Sequence, residues 1–224
     1  MRSTRLPMSR ARGTRRPRGR RARRVGDTAI AAVTVVALAA GVWLLGDTHA
    51  PPQPTAAEGR PDPGGERLTA PALPPSPPLR IRIPSIRVNA PLMGLALTSS
   101  GSLDVPPAQD KNLAGWYEAG TMPGETGTAI VAGHVDNKEG PAVFYDLGAL
   151  KRDARIEIDR RDGTVAEFTV DAVEVYAASA FPDRKVYGAA RRPELRVITC
   201  GGGYSKTTGY QGNVVVFAHL TGSR

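Results

Sequence analysis

The chain has 224 residues, a formal net charge of +9, 25 glycines, 20 prolines, 5% aromatic residues and a single cysteine. Eleven arginines and no acid fall within residues 1–25, so the rest holds 19 Lys and Arg against 21 Asp and Glu, a net of −2. The charge belongs to a tail, which argues against a nucleic-acid-binding domain; the glycine and proline argue against a helical bundle, and one cysteine rules out a disulfide within the chain.

In chain order, residues 1–27 are an Arg-rich tail broken by Pro7, Gly13, Pro17 and Gly19, which reads as disordered. Thr28–Gly46 follows, nineteen uncharged residues rich in Ala, Val and Leu. As a helix this stretch spans about 28 Å, close to the hydrocarbon thickness of a bilayer. Trp43 sits near one end, and the arginines hold the N-terminal side in the cytoplasm. The expectation is a single-pass cell-membrane protein whose C-terminal part is extracytoplasmic. A cleaved signal peptide ending at Thr48-His49-Ala50 is the alternative, and Arg23-Arg24 hints at a twin-arginine signal; the length of the apolar stretch favours a retained anchor. Residues 47–78 hold ten of the prolines and few apolar side chains, which reads as an extended spacer.

From Leu79 to Arg224 the texture changes. Arg80–Ile83 alternates, Ile86–Leu97 carries short apolar runs, and Leu103–Val105 is a short strand closed by Pro106-Pro107. Thr128–Ala132 is a buried-type run, Arg155–Asp159 and Thr164–Val175 alternate about a turn at Arg161–Gly163, and Leu195–Thr199 and Asn213–Leu220 complete the set. A short helical piece is expected near Val143–Leu150. Seven or eight strands at this spacing indicate an all-β barrel or sandwich with one or two short helices.

Chemistry converges on Cys200, which ends the run Leu195–Thr199 and is followed by Gly201-Gly202-Gly203, read as a sharp turn. A solitary thiol is either a small buried hydrophobe or a nucleophile. A nucleophilic thiol needs an imidazole partner. His49 lies outside the domain, His219 shares a strand face with Val215 and Phe217, and His134 ends the run Ala129–Gly133 as Cys200 ends its own. If those two strands are parallel neighbours, His134 and Cys200 meet at one rim; on spacing His134 is preferred to His219. An oxyanion donor is also required. Arg196 has the strand parity of Cys200, and Asn213 opens the strand after it. Asp104 and Glu118 read as surface charges. No zinc spacing, no phosphate loop ending in Gly-Lys-Ser/Thr and no G-x-S-x-G occurs, so neither metal nor cofactor is expected.

Between about Ile81 and Leu220 the chain resembles the sortases, most closely the class F sortases of Gram-positive actinobacteria. The resemblance is carried by Val105-Pro106-Pro107, Ala114–Tyr117, Pro123-Gly124-Glu125, Ala132–Asp136, Glu194–Gly202 and Asn213–Val216. It implies an eight-stranded β-barrel and a cysteine transpeptidase, with Cys200 as nucleophile and His134 as the family histidine. It also implies two partners, a sorting-signal peptide and an amine acceptor such as cell-wall precursor. The family motif T-L-x-T-C is half present, with Arg196 and Val197 in its first two places. The family arginine, about thirteen residues after the cysteine, is replaced by Asn213, so Arg196, Asn213 or backbone N–H groups are left for its role. A cysteine peptidase using water, and a non-catalytic β-barrel binding module, are the rival readings.

Overall fold

The computed structural model describes residues 50–59 and 69–224. The Arg-rich tail and the expected span Thr28–Gly46 lie outside them; among the described residues no helix is long and apolar enough to cross a membrane.

The described residues form ten strands: β1 (Pro78–Ile83), β2 (Val88–Leu95), β3 (Ala114–Tyr117), β4 (Gly127–Gly133), β5 (Asp136–Asn137), β6 (Gly140–Pro141), β7 (Arg155–Arg160), β8 (Val165–Ala177), β9 (Pro193–Ser205) and β10 (Gly209–Ser223). Eight of them close a barrel in the order β1-β2-β3-β4-β9-β10-β8-β7, and β5-β6 is a separate ribbon. The pairs β2–β3 and β4–β9 are parallel, and the other barrel pairs are antiparallel. Among the described residues there are also one short helix, α1 (Asp183–Tyr187), and three 3-10 turns. The expected all-β barrel is present.

Alternation decides which side chains fill the barrel. On β1, Ile81 and Ile83 point inward, while Arg82 points outward to Glu157 of β7 at 2.8 Å. On β8 the inward set is Ala166, Phe168 and Val170. Phe168, Ile81 and Ile158 are fully buried, each burial stabilising the fold by roughly 1.5–3 kcal/mol. The strands β4 and β9 do not alternate, because both faces are covered. Val131, Leu195 and Val197 face the interior, while Ile130, Ile198, Val215 and Phe217 form an outer cluster under Val186 of α1. Two-sided burial is why these strands read as continuous apolar runs.

Several expectations change. Leu103–Val105 makes only an isolated bridge, Leu97 to Leu103, since Pro106 and Pro107 have no N–H to continue a ladder. Gly201–Gly203 does not end its strand. β9 runs on to Ser205, with Gly202 and Gly203 at φ +76° and +95° and a register shift opposite, between Tyr210 and Gly212. Glycine tolerates that left-handed backbone, so the strand bulges instead of turning. The helical piece near Val143–Leu150 is one 3-10 turn, Leu147–Ala149, and α1 was not anticipated. β3, only four residues long, is too short to show a period.

The proline-rich segment is not merely a spacer. The Ala70 N–H donates to Leu220 O at 3.0 Å and the Leu73 N–H to Gly124 O at 2.8 Å. Arg160, wholly buried, donates to Pro74 O and, at 3.1 Å, to Thr164 Oγ1. Residues before Leu79 therefore satisfy a buried cation. A chain starting at Leu79 strips that acceptor, which should cost about 2–3 kcal/mol and lower Tm by roughly 5–10 °C relative to one starting at Ala50. Equal melting curves for the two would show that Arg160 finds another acceptor.

Candidate active site

The pair β4–β9 runs in register from Gly127 opposite Pro193 to Ala132 opposite Ile198. That last pair lies two residues before His134 and Cys200, and β4 ends at Gly133, so His134 is the first residue past the strand end on the side where Cys200 lies on β9. Two local features hold the strand ends. Thr199 Oγ1 donates to Gly133 O at 2.9 Å. A Cβ on Gly133 would lie 2.7 Å from the Phe144 ring, so only glycine lets the chain reach His134 along this path. The Phe144 N–H donates to His134 O at 3.0 Å, and His134 Nε2 donates to Pro106 O at 2.7 Å.

Cys200 opens onto a groove of about 780 Å³. Its lining includes Leu97, Leu103, Val105, Ile130, Ala132, Ile198, Tyr187 and Ala190. The shape and apolar lining suit an extended peptide. Asp104 and Asp183 are its charged residues, and no arginine lines it.

Asn213 is the residue opposite Cys200 on β10 and lines the same groove. Arg196 shares the face of Cys200, as its spacing requires, but is placed away from the groove. Its guanidinium meets Glu194 at 2.6 Å and stacks 4.6 Å from the Phe217 ring centre, and the residue is buried. His219 lies six residues along β10 from Asn213, about 20 Å at the rise of a strand. It is buried and bonded through Nδ1 to Asp171 at 2.8 Å. The structure sets Asn213 opposite Cys200, puts His134 two residues past the last β4–β9 pair, and holds Arg196 and His219 with partners of their own. Asp104 is exposed, as expected of a surface charge, and lines the groove.

Residues 81–221 match the family model described as a sortase domain. The chain belongs to the sortase family. Sortases are cysteine transpeptidases, and this chain is an enzyme of that kind. Similar solved structures are sortase A of Listeria monocytogenes, 18% identical over 67% of this chain and 90% of that one, with a TM-score of 0.49. Sortase A of Corynebacterium diphtheriae is 20% identical over 65% and 61% of the two chains, with a TM-score of 0.49. The sortase D5 transpeptidase of Clostridium perfringens is 21% identical over 65% and 79%, with a TM-score of 0.48. A comparison with curated proteins found no match.

Electrostatics around the sortase thiol add a group the sequence did not single out. Cys200 is exposed to the groove, yet the walls crowding its sulfur push the thiol above its usual range, and the Asp136 carboxylate pushes it further. Asp136 accepts a hydrogen bond from Tyr210 Oη. Burial, then that bond, raise the Tyr210 phenol, so it stays a donor at all ordinary pH. Asp136 follows His134 by two residues, across a bend at Val135, and opens β5. On Glu194, burial alone would raise the carboxyl; bonds from Arg192 and Arg196 more than offset this and hold it below the usual range.

A raised thiol binds its proton more tightly, so the thiolate fraction at neutral pH is small and grows only as pH climbs through the raised value. Alkylation of Cys200 by iodoacetamide should therefore have its midpoint above that of free cysteine. Asp136→Asn removes one of the two causes and should move the midpoint down and speed alkylation at pH 7. An unshifted profile would show that Asp136 does not act on the thiol.

Proposed function

We propose that this sortase is a membrane-anchored class F enzyme with Thr28–Gly46 as its anchor, an N-terminal tail in the cytoplasm and the barrel outside. We infer that it cleaves a sorting-signal peptide and joins the protein to an amine of the cell wall. The observation that supports this chemistry is the parallel register of β4 on β9, whose last pair lies two residues before His134 and Cys200, together with the apolar groove onto which Cys200 opens. The class and the anchor rest on the motifs and on the basic, apolar N-terminal stretch.

The steps follow from the groups present. Cys200 gives its proton to His134, and the thiolate attacks the scissile carbonyl carbon. The tetrahedral oxyanion takes hydrogen bonds, and then the C–N bond breaks. The leaving amine takes the proton from His134, which leaves a thioester on Cys200. An incoming amine attacks that thioester, loses a proton to His134 and expels the thiolate, which recovers a proton from the same ring. The raised thiol suits this order, because the proton moves when substrate is in place.

For the oxyanion, the position of Asn213 across from Cys200 favours its amide N–H, with backbone donors beside it. We assign Arg196 to holding Glu194 and covering Phe217, a packing role.

The test is capture of the acyl-enzyme from a peptide library by mass spectrometry, followed by addition of an amine. A ligated product supports the transferase, hydrolysis alone would make the protein a cysteine peptidase, and no adduct on Cys200 would make it a binding module. Within the enzyme, Cys200→Ala and His134→Ala should each abolish turnover with Tm preserved. Asn213→Ala should lose about 10²–10³ in kcat, as for other oxyanion donors. Arg196→Ala should chiefly lower Tm, since it leaves Glu194 short of a partner. Loss of kcat in Arg196→Ala without loss of Tm would reverse the two assignments.

A further inference from the structure

The contact between His134 and Pro106 does more than tie down a loop. A carbonyl oxygen can only accept, so at 2.7 Å the imidazole must carry its proton on Nε2. In the neutral ring Nδ1 then holds the bare lone pair. Among the described residues neither Cys200 of β9 nor Asp136 of β5 makes a hydrogen bond to the ring. Tyr210 of β10 is turned to Asp136.

The carbonyl is unusually fixed. The sequence is Val105-Pro106-Pro107. The ring of Pro106 sets its own φ, and the ring of Pro107 bars Pro106 from the helical ψ region, so neither dihedral is free. Pro106 is buried, and the two prolines offer no N–H that would draw this stretch into a ladder. Two further bonds join the same loop to the ribbon that follows His134. Asn137 Nδ2 donates to Ala108 O at 2.7 Å, and Lys111 Nζ meets Glu139 at 3.0 Å. Leu103, Asp104 and Val105, just before Pro106, line the groove.

We propose that the Pro106 carbonyl, aimed by Pro107, is a positioning group for catalysis. It holds His134 in the Nε2–H tautomer, so that Nδ1 takes the proton from Cys200 Sγ and returns it to the leaving amine. When Nδ1 is protonated the imidazolium keeps its Nε2–H on Pro106 O, the place a carboxylate takes in other nucleophile–histidine pairs. The inference rests on reading His134 as the proton carrier.

Nitrogen-15 NMR of the full-length protein, labelled in histidine and compared with His134→Gln for assignment, reads the tautomer directly at a pH where the ring is neutral. The expected result is a protonated Nε2 and a bare Nδ1 on His134; an Nδ1–H tautomer overturns the proposal. Pro107→Gly frees ψ at residue 106 and should mix the tautomers and lower kcat about ten- to a hundredfold with KM little changed. Pro106→Ala keeps both the carbonyl and the constraint from Pro107, and should retain the tautomer and most of kcat. If Pro107→Gly keeps wild-type tautomer and kcat, the carbonyl is a bystander. The tautomer is read without turnover, so an Nε2–H ring in a protein that acylates no peptide would refute the transpeptidase reading and leave the bond standing.

Discussion

The site depends on the parallel register of β4 on β9. Parallel neighbours cannot be joined by a tight turn, so the chain leaves the rim at His134 and returns through β7, β8 and α1 before β9 begins. Nothing local then fixes which residue of β9 stands beside which residue of β4. Packing on both faces fixes it instead. A slip of one residue would turn Cys200 toward the barrel interior and send Val197 and Leu195 out under α1. A slip of two would keep the parity and break the bond from Thr199 to Gly133. The apolar cores on either side of these strands are thus what fixes the register on which the proposed pairing of His134 with Cys200 rests.

Charge is divided between holding the barrel and serving the rim. Two arginines, Arg160 and Arg196, are buried, and both leave Nε without a hydrogen bond. Each is worth keeping only while its remaining donors are matched, Arg160 by Pro74 and Thr164 and Arg196 by Glu194 and the Phe217 face. Near Cys200 the described groups are instead a carboxylate, a phenol bonded to it and a neutral amide. A rim of that kind keeps the thiol protonated at rest and leaves the proton transfer to the neighbouring ring.

Much of this was legible in the sequence, and the misses share a cause. Arg80–Ile83 and Val165–Val170 alternate because one face is wet, and Ala129–Ala132 and Val197–Thr199 run together because neither is, so strands and core could be read from period alone. That the strand leading to His134 and the strand through Cys200 are parallel neighbours was read from their like patterns, and β4 on β9 is such a pair, although β9 runs on past Cys200. Partners outside a residue's own strand were invisible. Arg196 has the right parity, but parity does not reveal that Glu194 and Phe217 claim it. The three glycines look like a stop, yet they carry a bulge through a long hairpin. Pro74 and Pro106 look like punctuation, whereas their carbonyls accept from Arg160 and His134, and a main-chain acceptor leaves no mark on composition.

The protonated resting state of Cys200 also bears on how long the enzyme survives. Peroxide attacks the thiolate, and the first oxidised form, a sulfenic acid, is rescued by a second thiol where one is at hand. This chain has no second cysteine. An overoxidised Cys200 would be a dead enzyme with no repair from within the chain. The crowding and the neighbouring carboxylate that disfavour its ionisation disfavour that oxidation as well.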